Sequence, residues 1–171
     1  DAGAFDEFGH NRATLKANLE KITEYAHLKN MIGIDEPPIL EIIKENKMVR
    51  LELEKKAIGV YLTQHPLAYM KQKINQPILA VANLNEYVSK NVRVLLSLLR
   101  VKVIVDKKGN EMCFIEGFDE TGNVEGVVFS STYQRYKTLL EKNKIVCIEG
   151  KMNYRDKLSL VVQNVKEVNE V

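Results

Sequence analysis

The sequence has little of what metal and redox chemistry requires. Its 171 residues include two cysteines, Cys113 and Cys147, and three scattered histidines, His10, His27 and His65. No Cys/His spacing resembles a zinc site, and the two thiols, each inside a predicted strand, are expected to be buried and reduced. There is no carboxylate cluster for a pair of metal ions and no Gly-rich phosphate loop. No Ser-His-Asp or Cys-His set stands in a supporting context. The residues therefore point to binding rather than catalysis, with no cofactor. No apolar run approaches the roughly 18 residues that a membrane span needs. Without a secretory leader, a cytoplasmic setting is expected.

An excess of one charge is also missing. The formal net charge is +2, with 12 basic and 12 acidic residues in 1–91 and 13 against 11 in 92–171. A balance this small does not announce a nucleic-acid partner, although the whole excess lies in the second half. The chain opens at Asp1 in DAGAFDEF, which reads as a cut from a longer protein.

What is present changes period along the chain. Residues 1–77 follow a helical pattern. Asn11 can cap a first helix that carries Leu15, Leu19, Ile22 and Ala26 on one face. Leu28 to Ile32 reads as a loop exposing Met31 and Ile32, and Gly33 through Pro38 breaks the pattern. Residues 39–62 look helical again, with Ile39, Ile42 and Ile43 on one stripe and Leu53, Ala57 and Tyr61 on another. Pro66 opens a further helix, with Leu67, Met70 and Ile74 inward. Residues 78–91 read as a connector.

From residue 92 the period becomes strand-like. A long run ends with Val101, Val103 and Val105 on one face and Arg100 and Lys102 on the other. A basic loop, Asp106-Lys107-Lys108-Gly109, leads into two strands joined by a turn at Glu120-Thr121-Gly122-Asn123. Alternation puts Cys113, Ile115 and Gly117 on one face, and Met112, Phe114, Glu116 and Phe118 on the other. The small and branched set suits a barrel interior. Ser130-Ser131-Thr132 can cap a helix whose Tyr133 and Tyr136 would plug that barrel, and two strands follow. The expected fold is α+β, an N-terminal helical segment followed by a five-stranded OB-fold β-barrel of order βββαββ over 92–171.

Barrels of this kind bind through strands 2 and 3 and the loops joining strands 1–2 and 4–5. Those places hold Phe114 and Phe118, then Lys107 and Lys108, then Tyr154, Arg155 and Lys157, with Arg100 and Lys102 flanking them. Rings can stack bases while cations track phosphates, which suits a single strand without sequence readout. Glu116 and Glu125 share the same outer surface and would repel phosphate.

Three stretches carry a resemblance to the bacterial replicative DNA polymerase III alpha subunit. The run Glu54-Lys55-Lys56-Ala57-Ile58-Gly59-Val60-Tyr61-Leu62-Thr63-Gln64-His65-Pro66-Leu67 resembles the family's EKE-x-LG-x-Y-x-SGHPL, with Thr63-Gln64 in place of Ser-Gly. The opening Ala2-Gly3-Ala4-Phe5-Asp6, with Phe8, Gly9, Asn11 and Arg12, is similar to its exit from a helix-hairpin-helix region. Lys107-Lys108-Gly109, Met112-Cys113-Phe114-Ile115, Asp119, Gly122, Val127 and Phe129 follow its KKG-x-x-MAF, D-x-x-G and V-x-F pattern. Phe118 stands where the family more often has a charge.

The resemblance implies a module that holds single-stranded template for the remainder of a polymerase chain. Nucleotidyl transfer with Mg2+ would belong to parts outside these residues. It also implies a sliding-clamp contact near the junction, for which Met31 and Ile32 are the candidates. Two other readings stay open. One is a protein-interaction module docking on the clamp, the clamp loader or a neighbouring domain. The other is an anticodon-binding domain of a tRNA synthetase.

Overall fold

Five strands close on themselves in the computed structural model, which describes residues 2–33, 36–154 and 157–168. They are β1 (Asn91–Val105), β2 (Glu111–Asp119), β3 (Gly122–Val128), β4 (Ile145–Tyr154) and β5 (Leu158–Glu167). Their order around the barrel is β1-β2-β3-β5-β4. All neighbours are antiparallel except β3 and β5, which run parallel. The helix that separates β3 from β4 follows Phe129 and spans Ser130–Tyr136. This is the OB fold that the βββαββ order predicts.

Among the described residues four more α-helices precede the barrel: α1 (Arg12–Ala17), α2 (Leu19–Ile32), α3 (Lys47–Ile58) and α4 (Pro66–Lys73), which makes the barrel's own helix α5. The chain divides into two compact units, Asp1–His65 and Pro66–Val171. Helix α4 and the 78–91 stretch thus belong with the barrel. That stretch contains a 3-10 helix, Val81–Tyr87, whose Val81 and Leu84 are buried in the barrel core.

The interior follows strand alternation. Val92, Val94, Leu96 and Leu98 of β1 meet Cys113, Ile115, Val124, Ile148, Met152 and Leu160 there. Tyr133 plugs the core and is buried, with Tyr136 packed beside it, its hydroxyl 2.5 Å from Asn164 Oδ1. Both cysteines are free and buried, and burial pushes the Cys113 thiol up to about 11. Leu95 and Cys147, paired on β1 and β4, are buried on the other face, and α4 packs on β1 with Leu67 and Met70 buried.

Two irregularities shape the barrel. The pairing of β1 with β2 slips between Leu98 and Arg100, so inward parity moves from even to odd residues. Val101 is then partly buried against the core, but Val103 and Val105 lie beyond it and are exposed. The second slip lies between Glu149 and Gly150. There a Cβ on Gly150 would meet the Val161 carbonyl oxygen at 2.3 Å, and a backbone atom cannot swing away. Gly150→Ala is expected to destabilise the barrel by roughly 1–3 kcal/mol, as overpacking does. An unchanged denaturation midpoint would contradict that.

The first unit departs most from the helical reading. Residues 37–46 are not helical. Three polar side chains one turn apart, Asn11, Thr14 and Asn18, line the α1 side that holds this segment. Asn18 donates to the Glu41 carbonyl (2.9 Å) and accepts from its N–H (3.0 Å). Thr14 Oγ1 accepts from Ile43 N–H (2.9 Å), and Asn11 donates to the Ile43 carbonyl (2.9 Å). Pro37-Pro38 bars a helix from running through into this segment from the preceding residues. Leu28–Ile32 in turn is the last part of α2 rather than a loop, and Gly33, at φ 70°, ends it.

The buried side of α3 is Met48, Leu51 and Glu54, not the Leu53–Ala57–Tyr61 stripe. Glu54 is a fully buried carboxylate. It accepts from the N–H groups of Leu62 (2.8 Å) and Thr63 (2.8 Å), from Thr63 Oγ1 (2.7 Å) and from Arg12 (3.1 Å). Burial alone would raise its pKa, but the bonds from Thr63, Arg12 and Leu62 outweigh it and hold the carboxyl at about 2.

Candidate nucleic-acid interface

The outer face of β1, β2 and β3 is a set of cross-strand rows. Lys102 lies opposite Phe114, and Phe114 opposite Val127. Next come Arg100, Glu116 and Glu125, and then Ser97, Phe118 and Asn123. On the other side of Phe114, Ile104 pairs with Met112. Alternation thus delivers Phe114 outward, where it is 47% exposed. Phe118 shares its face but is half-buried.

Beyond the Ile104 row lies the β1–β2 turn, and it is an ordered one. Asp106 Oδ1 accepts from the N–H groups of Lys108 (2.8 Å) and Asn110 (2.9 Å). Gly109 supplies the positive φ, 82°, that the turn requires. Ser130 Oγ donates to Asp106 Oδ2 (3.2 Å), tying the start of α5 to the turn. The Asn110 N–H, joined by the Lys108 N–H and the Ser130 hydroxyl, holds the Asp106 carboxyl below the usual range. Ser130 is spent on this bond, and α5 has no side-chain cap of the kind expected from Ser130-Ser131-Thr132. Lys107 and Lys108 project from the turn exposed, with no carboxylate partner among the described residues.

Of the other predicted cations, Arg100 and Lys157 have carboxylate neighbours and Lys102 has none among the described residues. Arg100 Nε lies 4.0 Å from Glu116, and Lys157 pairs with Glu125. Tyr154 is 62% exposed at the end of β4. Arg155 lies outside the described residues. Met31 and Ile32 belong to the first unit and are exposed on the last turn of α2. The structure therefore brings Lys102 and Phe114 into one row near Lys107 and Lys108, while Arg100 and Lys157 sit on the acidic row.

One exposed ring was absent from the sequence-based set. Phe129 follows Val128, is extended (φ −68°, ψ 160°) and is 53% exposed. Val127 faces outward, so continued alternation returns Phe129 to that face, and the signal lay in the V-x-F spacing. Among the described residues no group of His, Cys, Asp or Glu could hold a metal ion, and no helix is long and apolar enough to cross a membrane.

Residues 92–168, the barrel strands, match a family described as an OB-fold nucleic acid binding domain. The DNA polymerase III subunit alpha of Bacillus subtilis is 30% identical over 183 residues, which takes in 99% of this chain. That of Escherichia coli K12 is 26% identical over 191 residues, again 99% of the chain. The chain is a homologue of the bacterial DNA polymerase III alpha subunits. It spans 16% of the length of these two relatives. Among solved structures, the SSB domain of a Synechococcus protein aligns with 44% of the chain and 91% of its own, at 12% identity and TM-score 0.40. The second OB-fold domain of replication protein A from Methanococcus maripaludis aligns with 49% and 89%, at 16% identity and TM-score 0.37.

Two acids of the alpha-subunit motifs prove to be structural. Glu54 has the partners given above, within the first unit. Asp119, of the D-x-x-G motif, has a buried side chain and closes the β2–β3 turn through Thr121 N–H (2.7 Å), Thr121 Oγ1 (2.6 Å) and Gly122 N–H (3.1 Å). Gly122 already pairs with Asp119 in the sheet, so the turn itself is Glu120-Thr121. The other Asp119 oxygen takes Lys71 Nζ of α4 (2.7 Å) and Val81 N–H of the 3-10 helix (2.9 Å). Burial opposes its charge, yet Lys71, Thr121 and Val81 together lower its pKa.

Proposed function

We propose that the barrel binds single-stranded DNA without sequence readout and holds template for a polymerase of the alpha-subunit kind. The observation that carries this is the exposed Phe114 ring, set between Lys102 and Val127 and near the ordered turn that bears Lys107 and Lys108. A ring face takes a base, and nearby ammonium groups take the flanking phosphates. Nucleotidyl transfer and its Mg2+ would belong to portions of the relatives outside this chain. A sliding-clamp contact at Met31 and Ile32 is proposed on their exposure at the end of α2.

A second reading, a docking module for another protein, is favoured by the Glu116 and Glu125 row. Fluorescence anisotropy of labelled oligo-dT with the whole chain, at several salt concentrations, separates the two. Steep weakening with salt is expected. Replacing Lys102, Lys107 and Lys108 with Gln should flatten the log–log salt slope by about 2, at about 0.7 per phosphate contact. No binding at low salt by a chain with native circular dichroism would favour the docking module.

A further inference from the structure

The outer face is not uniform, and its division predicts a path. We propose that a single strand crosses the barrel only at its β1–β2-turn end, stacked on Phe114 and Phe129, and that Glu116 and Glu125 keep it off the Phe118 end. The inference rests on the single-strand reading above and specifies which part of the face is used.

Four observations converge. Phe114 and Phe129 are the two exposed phenylalanine rings at that end, 47% and 53% exposed, whereas Phe118 is half-buried. Phe129 precedes Ser130, whose hydroxyl holds Asp106, so its backbone lies beside the turn carrying Lys107 and Lys108. Lys102, opposite Phe114, has no carboxylate partner among the described residues. Between Phe114 and Phe118 lies the row of Arg100, Glu116 and Glu125, in which Arg100 and Lys157 are occupied by the two carboxylates. A phosphate moving along the face from Phe114 would meet the carboxylates of Glu116 and Glu125, with Arg100 4.0 Å from the first and Lys157 paired with the second. Toward the turn it meets lysines whose charge is available.

The test compares single variants of the whole chain in oligo-dT anisotropy. Phe129→Ala should weaken binding about tenfold, as loss of one stacked base does. Phe129→Leu, which keeps the bulk but loses the ring, should weaken it nearly as much. Phe118→Ala should stay within about twofold of the unaltered chain, well short of the loss of a stacked base. Glu116→Gln with Glu125→Gln should tighten binding several-fold and steepen its salt dependence, because Arg100 and Lys157 are released. A silent Phe129→Ala would overturn the proposed path while leaving single-strand binding intact. So would a Phe118→Ala loss equal to that of Phe114→Ala, or unchanged affinity in the double Gln variant. Failure of the unaltered chain to bind would overturn the single-strand reading itself.

Discussion

Asp119→Ala is expected to lower the unfolding free energy of the barrel unit by about 3–5 kcal/mol, the range for removing one partner of a buried pair. The loss is large because the carboxylate serves five donors from three places. Lys71 comes from α4, Val81 from the 3-10 helix, and Thr121 and Gly122 from the β2–β3 turn. Without it, three backbone N–H groups lose their acceptor together, and the mostly buried Lys71 ammonium is left with Glu120 (2.9 Å). Asp119→Asn restores only part of the loss, since its amide NH2 points a donor at other donors. Guanidinium unfolding followed by circular dichroism reads this as a fall in midpoint at an unchanged slope. A change below about 1 kcal/mol would mean that water replaces the carboxylate, and that the turn is held by its strands alone.

Acid should release the first unit through Glu54. Its folded pKa, about 2, is below the ordinary 4.5. A depressed carboxylate contributes stability that is fully present above the unfolded value and disappears as pH falls through the folded one. The window is therefore pH 4.5 down to about 2, and the difference corresponds to roughly 3 kcal/mol. Protection factors for amide exchange in α3, corrected for intrinsic rates, should hold steady above pH about 5 and fall across that window. Glu54→Gln should start lower and show a much flatter profile. Equal profiles for the two proteins would place the acid sensitivity elsewhere.

These two residues also mark where the sequence could be read and where it could not. Period-2 alternation in β2 sorted Cys113, Ile115 and Gly117 from Phe114 and Phe118, because a strand inside a narrow barrel allows one assignment of faces. The order of strands and the tyrosine plug were legible for the same reason. Glu54 was not, since nothing in local periodicity says that a carboxylate will collect donors from residues 62 and 63 and from Arg12. Ile39, Ile42 and Ile43 have helical spacing, but polar side chains of α1 pair with the backbone at 41 and 43 and hold an irregular segment instead. The slip at Leu99 is a third case, as a bulge changes parity without changing composition. In the interface, residue types were legible but pairings were not. Arg100 and Lys157 look like phosphate ligands until their carboxylate neighbours are seen across the sheet.

The most direct test of the interface is a titration of the 15N-labelled chain with oligo-dT, followed by amide chemical shifts. Shifts are expected in Lys102, the 107–110 turn, Phe114, Val127 and Phe129, with little change at Phe118 and Asn123. Shifts concentrated around Arg93 and Glu149 on the other side of the barrel, or confined to residues 2–65, would contradict the assignment of the binding face.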